Sequence, residues 1–383
     1  MRRRNLTLLI KPASGRCNMR CLYCFYADEA MNRDMPDHGM MGLETAHSLI
    51  DKAFEEAEEV AFAFQGGEPA VRGLGFFRDF VSYARRKGRS SFSLQTNGML
   101  IDEEWADFFR SERFLIGLSM DGRRPVHDLY RRGADGKGTF RIVHSHLMLL
   151  REKGVDVNIL VTLTKDAAMN GEDTFRYLRE QGFRWQQYIP CIDPLESSRG
   201  TSSYSLDTDT FSSFLCSVFD LYFDDWRRGD FTSVRYFDNL VLIASGLEPE
   251  SCGMLGYCPS NYVVEADGEV YPCDFYVLDG YRLGNISTGS FSEFDERRKA
   301  LGFTEKSLKV EEACKECRFF PLCLGGCRRD REDFSSGELG LTYLCPAYKR
   351  FFSYAWERLL YMGAEERKAR EEVIGQKQSK NLD

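Results

Sequence analysis

Between residues 6 and 192 the sequence alternates short apolar runs suited to buried strands with longer runs whose apolar residues recur at helical spacing. Strands are predicted at 6–10, 60–64, 91–96, 114–120, 157–162 and 186–192, with helices at 43–59, 76–87, 102–110, 138–153 and 173–181. The helix at 43–59 illustrates the signal: Leu43, Ala46, Leu49, Ile50, Ala53, Phe54 and Ala57 fall on one face. Parallel strands need a long crossover, and a helix of this length supplies one. The expected fold is therefore α/β, six βα units in an open or partial barrel, with chemistry at the C-terminal ends of the strands. Two further helical stretches, 207–229 and 236–245, are rich in Phe and Leu and are expected to bridge two regions with their aromatics in the core.

The loop after the first strand carries Cys17, Cys21 and Cys24, spaced C-x3-C-x2-C. Thiolates this close can converge on one metal centre, yet there are only three. A [4Fe–4S] cubane held by three cysteines leaves one iron open to bind and polarise a ligand. A structural zinc knuckle wants a fourth nearby Cys or His, and neither His38 nor His47 has finger-like spacing. Later strands end in Gln65-Gly66-Gly67-Glu68, in Gln95-Thr-Asn-Gly98 and in Gly117-Leu-Ser-Met-Asp-Gly122. Two consecutive glycines let backbone approach a ligand closely. The thirteen cysteines are an odd number in a 383-residue chain, which points to metal or redox chemistry rather than a disulfide framework. With no apolar run of 18 residues, no membrane span is expected. The Arg-rich start and the apolar run after it mimic a signal peptide, but Lys11 and Pro12 end the run early. Net charge is −8 without a long basic run, so nucleic acid is not expected as a partner.

The three-cysteine motif, with the aromatic Tyr23 just before its last cysteine, resembles the radical S-adenosylmethionine (SAM) enzymes. The resemblance implies a partial (β/α)6 barrel in which the open iron chelates SAM and one electron cleaves it to a 5′-deoxyadenosyl radical. It also implies the site. Tyr23 and the loop Gln65, Gly66, Gly67 and Glu68 would hold the cofactor, and Ser119 would face its carboxylate. Arg131 and Arg141 compete to hold that carboxylate bidentately, and Ile192 would line the adenine. A family of oxygen-sensitive clusters further implies the cytoplasm of an organism living with little oxygen, and an electron donor such as flavodoxin or ferredoxin.

Eight more cysteines follow between Cys252 and Cys345, enough thiolates for two four-ligand sites. On chemistry alone two zincs or two clusters fit equally. The pattern resembles the SPASM extension, which carries two auxiliary [4Fe–4S] clusters. That likeness implies three clusters in all, with Cys252, Cys258, Cys273 and Cys327 on one auxiliary cluster and Cys314, Cys317, Cys323 and Cys345 on the other. Cys191 and Cys216 are left as small buried hydrophobes. Asp267-Gly268 between apolar residues predicts a type I′ hairpin.

The run from Val263 to Val277, including Cys273-Asp274, is similar to anaerobic sulfatase-maturating enzymes. The resemblance implies oxidation of a Cys or Ser in a sulfatase polypeptide to Cα-formylglycine by abstraction of a Cβ hydrogen. Asp274 would be the general base, and the second electron would leave through the auxiliary clusters. Tyr26, beside the SAM cluster, is the candidate substrate contact. A maturase forming thioether or carbon–carbon crosslinks in another peptide is the alternative. The expected division is a barrel over 1–235, a SPASM region over 236–363 and a charged tail over 364–383.

Overall fold

The computed structural model describes residues 2–380, with side chains described as far as Val373. Six strands follow one another in parallel: β1 (Arg3–Ile10), β2 (Ala57–Phe64), β3 (Arg89–Thr96), β4 (Leu115–Ser119), β5 (Asp156–Leu163) and β6 (Trp185–Pro190). The helices between them are α1 (Phe25–Met31), α2 (Leu43–Glu56), α3 (Leu74–Lys87), α4 (Glu103–Glu112), α5 (Arg124–Tyr130), α6 (Phe140–Glu152), α7 (Lys165–Met169) and α8 (Gly171–Glu180). On α2 the residues Ala46, Leu49, Ile50, Ala53 and Phe54 are buried, the stripe that a helix lays on a sheet. Beneath the helices Phe62, Phe64, Phe77, Phe80, Phe92 and Phe114 pack ring against ring and tie β2 and β3 to α3.

The α2 helix stops at Glu56, short of the expected residue 59. Ala57 and Glu59 are taken instead into register with Arg3 and Asn5 of β1, so strand pairing overrides the helical preference of the glutamates. The sheet also reaches further than the six units. On one edge β7 (Ser233–Val234) joins β6 in parallel. On the other, β8 (Tyr262–Val264) pairs in parallel with β1, and β9 (Glu269–Tyr271) and β10 (Gly284–Asn285) follow antiparallel. The result is one open ten-stranded sheet in the order β10-β9-β8-β1-β2-β3-β4-β5-β6-β7.

The hairpin between β8 and β9 is present but is not type I′. Glu265 N donates to Glu269 O and Gly268 N donates to Glu265 O, so the loop has three residues, Ala266 to Gly268. Only Gly268 takes a positive φ, at 89°, which is the type I turn closed by a left-handed glycine. Two long helices follow β6, α9 (Thr208–Arg228) and α10 (Arg235–Ala244), and the C-terminal helix Cys345–Lys380 packs across both. Phe351 meets Phe219 and Phe237, and a Cβ on Gly363 would meet the Ala244 backbone at 2.6 Å. This helix runs without a break through residue 364. Among the described residues no helix is long and apolar enough to cross a membrane.

Candidate active site

The cysteine loop leaves the end of β1, at the C-terminal edge of the sheet. Cys17 Sγ faces the Met19 N–H at 3.4 Å and the Asn97 side-chain amide at 3.6 Å. Asn97 also donates to Asn18 Oδ1 at 2.8 Å, so the β3 loop braces the motif. Burial pushes the Cys17 thiol up to about 11 and the Cys21 thiol up to about 12. Thiolates there need a compensating positive charge, which a metal supplies.

The two glycines after β2 serve this loop. Gly67 has φ 53°, and a Cβ on it would lie 2.4 Å from Arg16 O and 2.7 Å from Ser14 O. A Cβ on Gly66 would strike the Lys11 side chain at 2.7 Å. Both glycines therefore lie in close approach to the β1 end and cysteine loop of this chain. Glu68 joins the neighbouring loops. Its buried carboxylate accepts from Ala70 N, Thr96 Oγ1 and Asn97 N at 2.7–3.0 Å, joining the β2 and β3 loops. Burial nonetheless raises its pKa to about 7.

Gln65 points to a different centre. Its amide donates to Asp274 Oδ2 at 2.6 Å and to Tyr26 Oη at 2.9 Å, and the Tyr26 hydroxyl donates to the same Asp274 oxygen at 2.6 Å. On the other side Lys11 Nζ stands 3.0 Å from Asp274 Oδ1 and 3.9 Å above the Tyr26 ring. Lys11 is 1% exposed, so this is a buried ion pair with an aromatic floor. Asp274 thus sits where β1, β2, α1 and the Cys273 turn meet. Asp274, Tyr26 and Gln65 are marked in the sequence by the motifs that carry them, and Lys11 is not. Its one signal was a lysine directly after a buried strand, at the end where such folds keep their chemistry.

Of the two competing arginines, Arg131 is already occupied. Its guanidinium donates to Asp121 Oδ2 at 2.8 Å and Thr162 Oγ1 at 3.1 Å, and it lies over the Tyr23 ring. The Tyr23 hydroxyl donates to the same Asp121. Tyr23 and Arg131 are therefore parts of a buried brace around Asp121, which no motif in the sequence singles out. Arg141, in the first turn of α6, is exposed and has no ion pair among the described residues. Ser119 ends β4, 7% exposed, and Ile192 lies two residues past β6, half-buried.

The remaining thiols fall into neighbourhoods. Burial is the main cause that raises the pKa of Cys273 and Cys327, with Cys327 and Cys252 adding to it at Cys273 and Cys252 and Cys258 at Cys327. Burial likewise leads at Cys323 and Cys345, with Cys345, Cys314 and Cys317 adding to it at Cys323 and Cys314 and Cys317 at Cys345. The thiols named in each group are among those that the resemblance assigns to one auxiliary cluster. Among the described residues no three His, Cys, Asp or Glu side chains converge tightly enough for a single metal ion. A four-iron cubane is a larger body, and donor sets of sulfur alone suit it.

Residues 12–178 match the Radical SAM superfamily, and residues 256–318 match an iron-sulfur cluster-binding domain, SPASM. The cysteine-type anaerobic sulfatase-maturating enzyme of Clostridium perfringens (strain 13 / Type A) is 43% identical over 360 residues, 93% of this chain and 97% of that protein. This chain belongs to the anaerobic sulfatase-maturating enzymes. A serine-type anaerobic sulfatase-maturating enzyme, from Bacteroides thetaiotaomicron, is 30% identical over 385 residues, 94% of this chain and 92% of that protein. The solved structure of native anSMEcpe with bound AdoMet and Cp18Cys peptide superposes with a TM-score of 0.89 at 42% identity, covering 94% of this chain and 99% of that one. The cofactors of this sulfatase-maturating family member are SAM and [4Fe–4S] clusters, and its fold is a radical SAM domain followed by SPASM.

Proposed function

We propose that the enzyme oxidises a cysteine in a sulfatase polypeptide to Cα-formylglycine, with Asp274 as the base. The observation that carries this reading is the setting of Asp274, beside Cys273 and gripped by Tyr26, Gln65 and Lys11. When bound, SAM and its cluster supply the one-electron chemistry that removes hydrogen from the substrate. Cys17, Cys21 and Cys24 hold that cluster, and the other eight motif cysteines hold two more in the sets given above. Asn97 braces the loop, Arg141 is the guanidinium free to pair with the SAM carboxylate, and Ser119 and Ile192 would complete the cofactor contacts.

The chain's own task is the proton. The Gln65 amide nitrogen donates to one oxygen of Asp274 and the Lys11 ammonium pairs with the other, and together they hold the carboxylate in place. The Tyr26 hydroxyl can donate or accept. When Asp274 takes the substrate proton, Tyr26 turns from donor to acceptor and its contact survives the change. Burial, then Asp274, raises the pKa of Tyr26 well above its usual value, so it stays a neutral phenol throughout. The higher identity to the cysteine-type than to the serine-type relative favours a cysteine target.

The same reading places the barrel in residues 1–235, the auxiliary clusters in 236–363 and a charged tail in 364–383. It requires a low-potential electron donor such as flavodoxin or ferredoxin, and it fits the cytoplasm. The test is mass spectrometry of a cysteine-containing sulfatase peptide incubated anaerobically with reconstituted enzyme, SAM and reductant. Exchange of sulfur for oxygen at the target supports formylglycine. Loss of hydrogen alone, with sulfur retained, supports a crosslink and overturns the reading.

A further inference from the structure

The cysteine loop has two sides. Toward the barrel it presents Met19 and Tyr23, both buried. On the other side Arg20 is exposed, and Leu22, between Cys21 and Cys24, is 61% exposed. A second stretch of chain runs beside the loop. Met19 bridges antiparallel to Gly133, Arg20 N donates to Arg132 O at 2.7 Å, and Leu22 N donates to Tyr130 O at 3.2 Å. That pairing sets the exposed Arg132 opposite Arg20 and brings the exposed Leu129 into the same patch.

Backbone carbonyls steady both guanidiniums. Arg20 Nη1 donates to Cys17 O at 2.9 Å and to Met19 O at 2.8 Å, and Arg132 Nε donates to Leu129 O at 3.3 Å. Neither arginine has an ion pair among the described residues, and each keeps N–H groups free for a carboxylate. The acids close by in the chain are taken: Asp128 pairs with Arg124 at 3.1 Å and Asp135 with Lys137 at 3.5 Å. The patch is therefore positive with an apolar centre, on a chain whose net charge is −8. Such a chain repels an acidic protein over most of its surface and attracts it here, so the charges orient the encounter.

Position says what such a protein would do. Arg20 holds the carbonyl of Cys17, and Leu22 follows Cys21 directly, so the patch is the outer wall of the three-thiolate site. The substrate side is the one where Tyr26, Gln65 and Asp274 meet. The outer wall is the side left to a second protein, and the reaction needs one electron from outside.

We propose that Arg20, Leu22, Leu129 and Arg132 form the docking face for the electron donor, an acidic one-electron carrier protein that seats an apolar edge on the leucines and carboxylates on the arginines. The face rests on the functional reading above. One electron leaves the carrier, which is oxidised by that amount, and enters the cluster held by Cys17, Cys21 and Cys24, which is reduced.

The test uses reconstituted enzyme with flavodoxin as the probe. Binding of oxidised flavodoxin is measured at low and high salt. Formation of 5′-deoxyadenosine is measured with reduced flavodoxin and, separately, with dithionite, a small reductant that needs no docking face. Arg132→Glu should raise the Kd for flavodoxin by about tenfold or more and weaken its salt dependence. Leu22→Ser should raise the Kd and keep the salt dependence, because it removes apolar contact and no charge. Both variants should match the wild type in iron content and in the dithionite-driven rate, while the rate with sub-saturating flavodoxin falls in step with the Kd. Arg227→Glu makes the same charge change at an exposed arginine in the last turn of α9, which leads into the start of β7 at the opposite edge of the sheet. It should bind flavodoxin like the wild type. An unchanged Kd in both face variants, an equal rise in Arg227→Glu, or a rate loss as large with dithionite as with flavodoxin overturns the docking face. A wild type that makes no 5′-deoxyadenosine with dithionite overturns the functional reading and the face with it.

Discussion

Lys11 shows how much one side chain decides at this site. It is 1% exposed and pairs with Asp274 at 3.0 Å, while its stem is the surface that a Cβ on Gly66 would strike. Breaking a buried pair by removing one partner strands the other charge, at a cost of roughly 3–5 kcal/mol. Lys11→Met is therefore expected to lower stability by about that amount and to lower formylglycine yield, measured by denaturant unfolding and by peptide mass spectrometry. A Lys11→Met enzyme as stable as wild type would show that the pair is solvated in solution. Glu29 makes a second residue-scale case, through pH. Burial, only partly offset by Lys11, raises its pKa from the usual carboxyl value to about 8. The folded state then holds a proton that the unfolded state has released. The stability that this proton brings is complete below about pH 4.5 and is lost as pH rises toward and through 8. Between about pH 5 and pH 9 the wild type should lose unfolding free energy that Glu29→Gln keeps. Parallel pH profiles for the two proteins would contradict this.

The loops after β1, β2 and β3 make the element-scale unit. Gly67 lies under the cysteine loop with φ 53° and no room for a Cβ, and Glu68 and Asn97 tie the next two loops beneath it. Gly67→Ala should push the three-cysteine loop out of place and spare the eight distant ligands. The wild type is expected to hold about 12 irons and the variant about 8, one cubane fewer. Iron and sulfide analysis after anaerobic reconstitution reads the difference, and a Gly67→Ala protein with the full iron complement would contradict it. Much of this unit was legible in the sequence, because cysteine spacing and strand-helix alternation are local signals. What was not legible depends on contacts across the chain. The Glu58-Glu59 segment reads as helix until β1 and β3 pair with it. The use of Gly66 and Gly67 is visible only when residues 11 to 16 lie over them. Arg131 and Arg141 look alike in sequence, and only the distant Asp121 and Thr162 show that one of them is occupied. The hairpin at Gly268 was legible as a turn, but its type follows from where β9 registers on β8.

At the scale of the whole molecule, barrel and cysteine-rich region share one sheet. Strand β8 extends β1 in parallel, with Leu8 opposite Tyr262 and Ile10 opposite Val264, and Lys11 N donates to Val264 O at 2.8 Å. The strand that delivers Lys11 is therefore held by the segment that delivers Asp274, ten residues beyond Val264. The C-terminal helix closes the other side over α9 and α10, through Phe351 and the Arg358–Asp220 pair at 2.7 Å. A seam built this way places Asp274, the proposed base, at the C-terminal edge of the barrel strands, fixed by sheet pairing on both sides. Asp274→Asn isolates the proton step: asparagine keeps the size but accepts no proton at neutral pH. The most direct measurement is 5′-deoxyadenosine and formylglycine quantified together from the same cysteine-containing peptide reaction, for wild type and for Asp274→Asn matched in iron. The expected result is continued 5′-deoxyadenosine formation with formylglycine lowered by about 10²-fold or more, the usual scale for loss of a general base. Near-wild-type formylglycine from the fully loaded Asp274→Asn enzyme would contradict the account and assign the proton to another group.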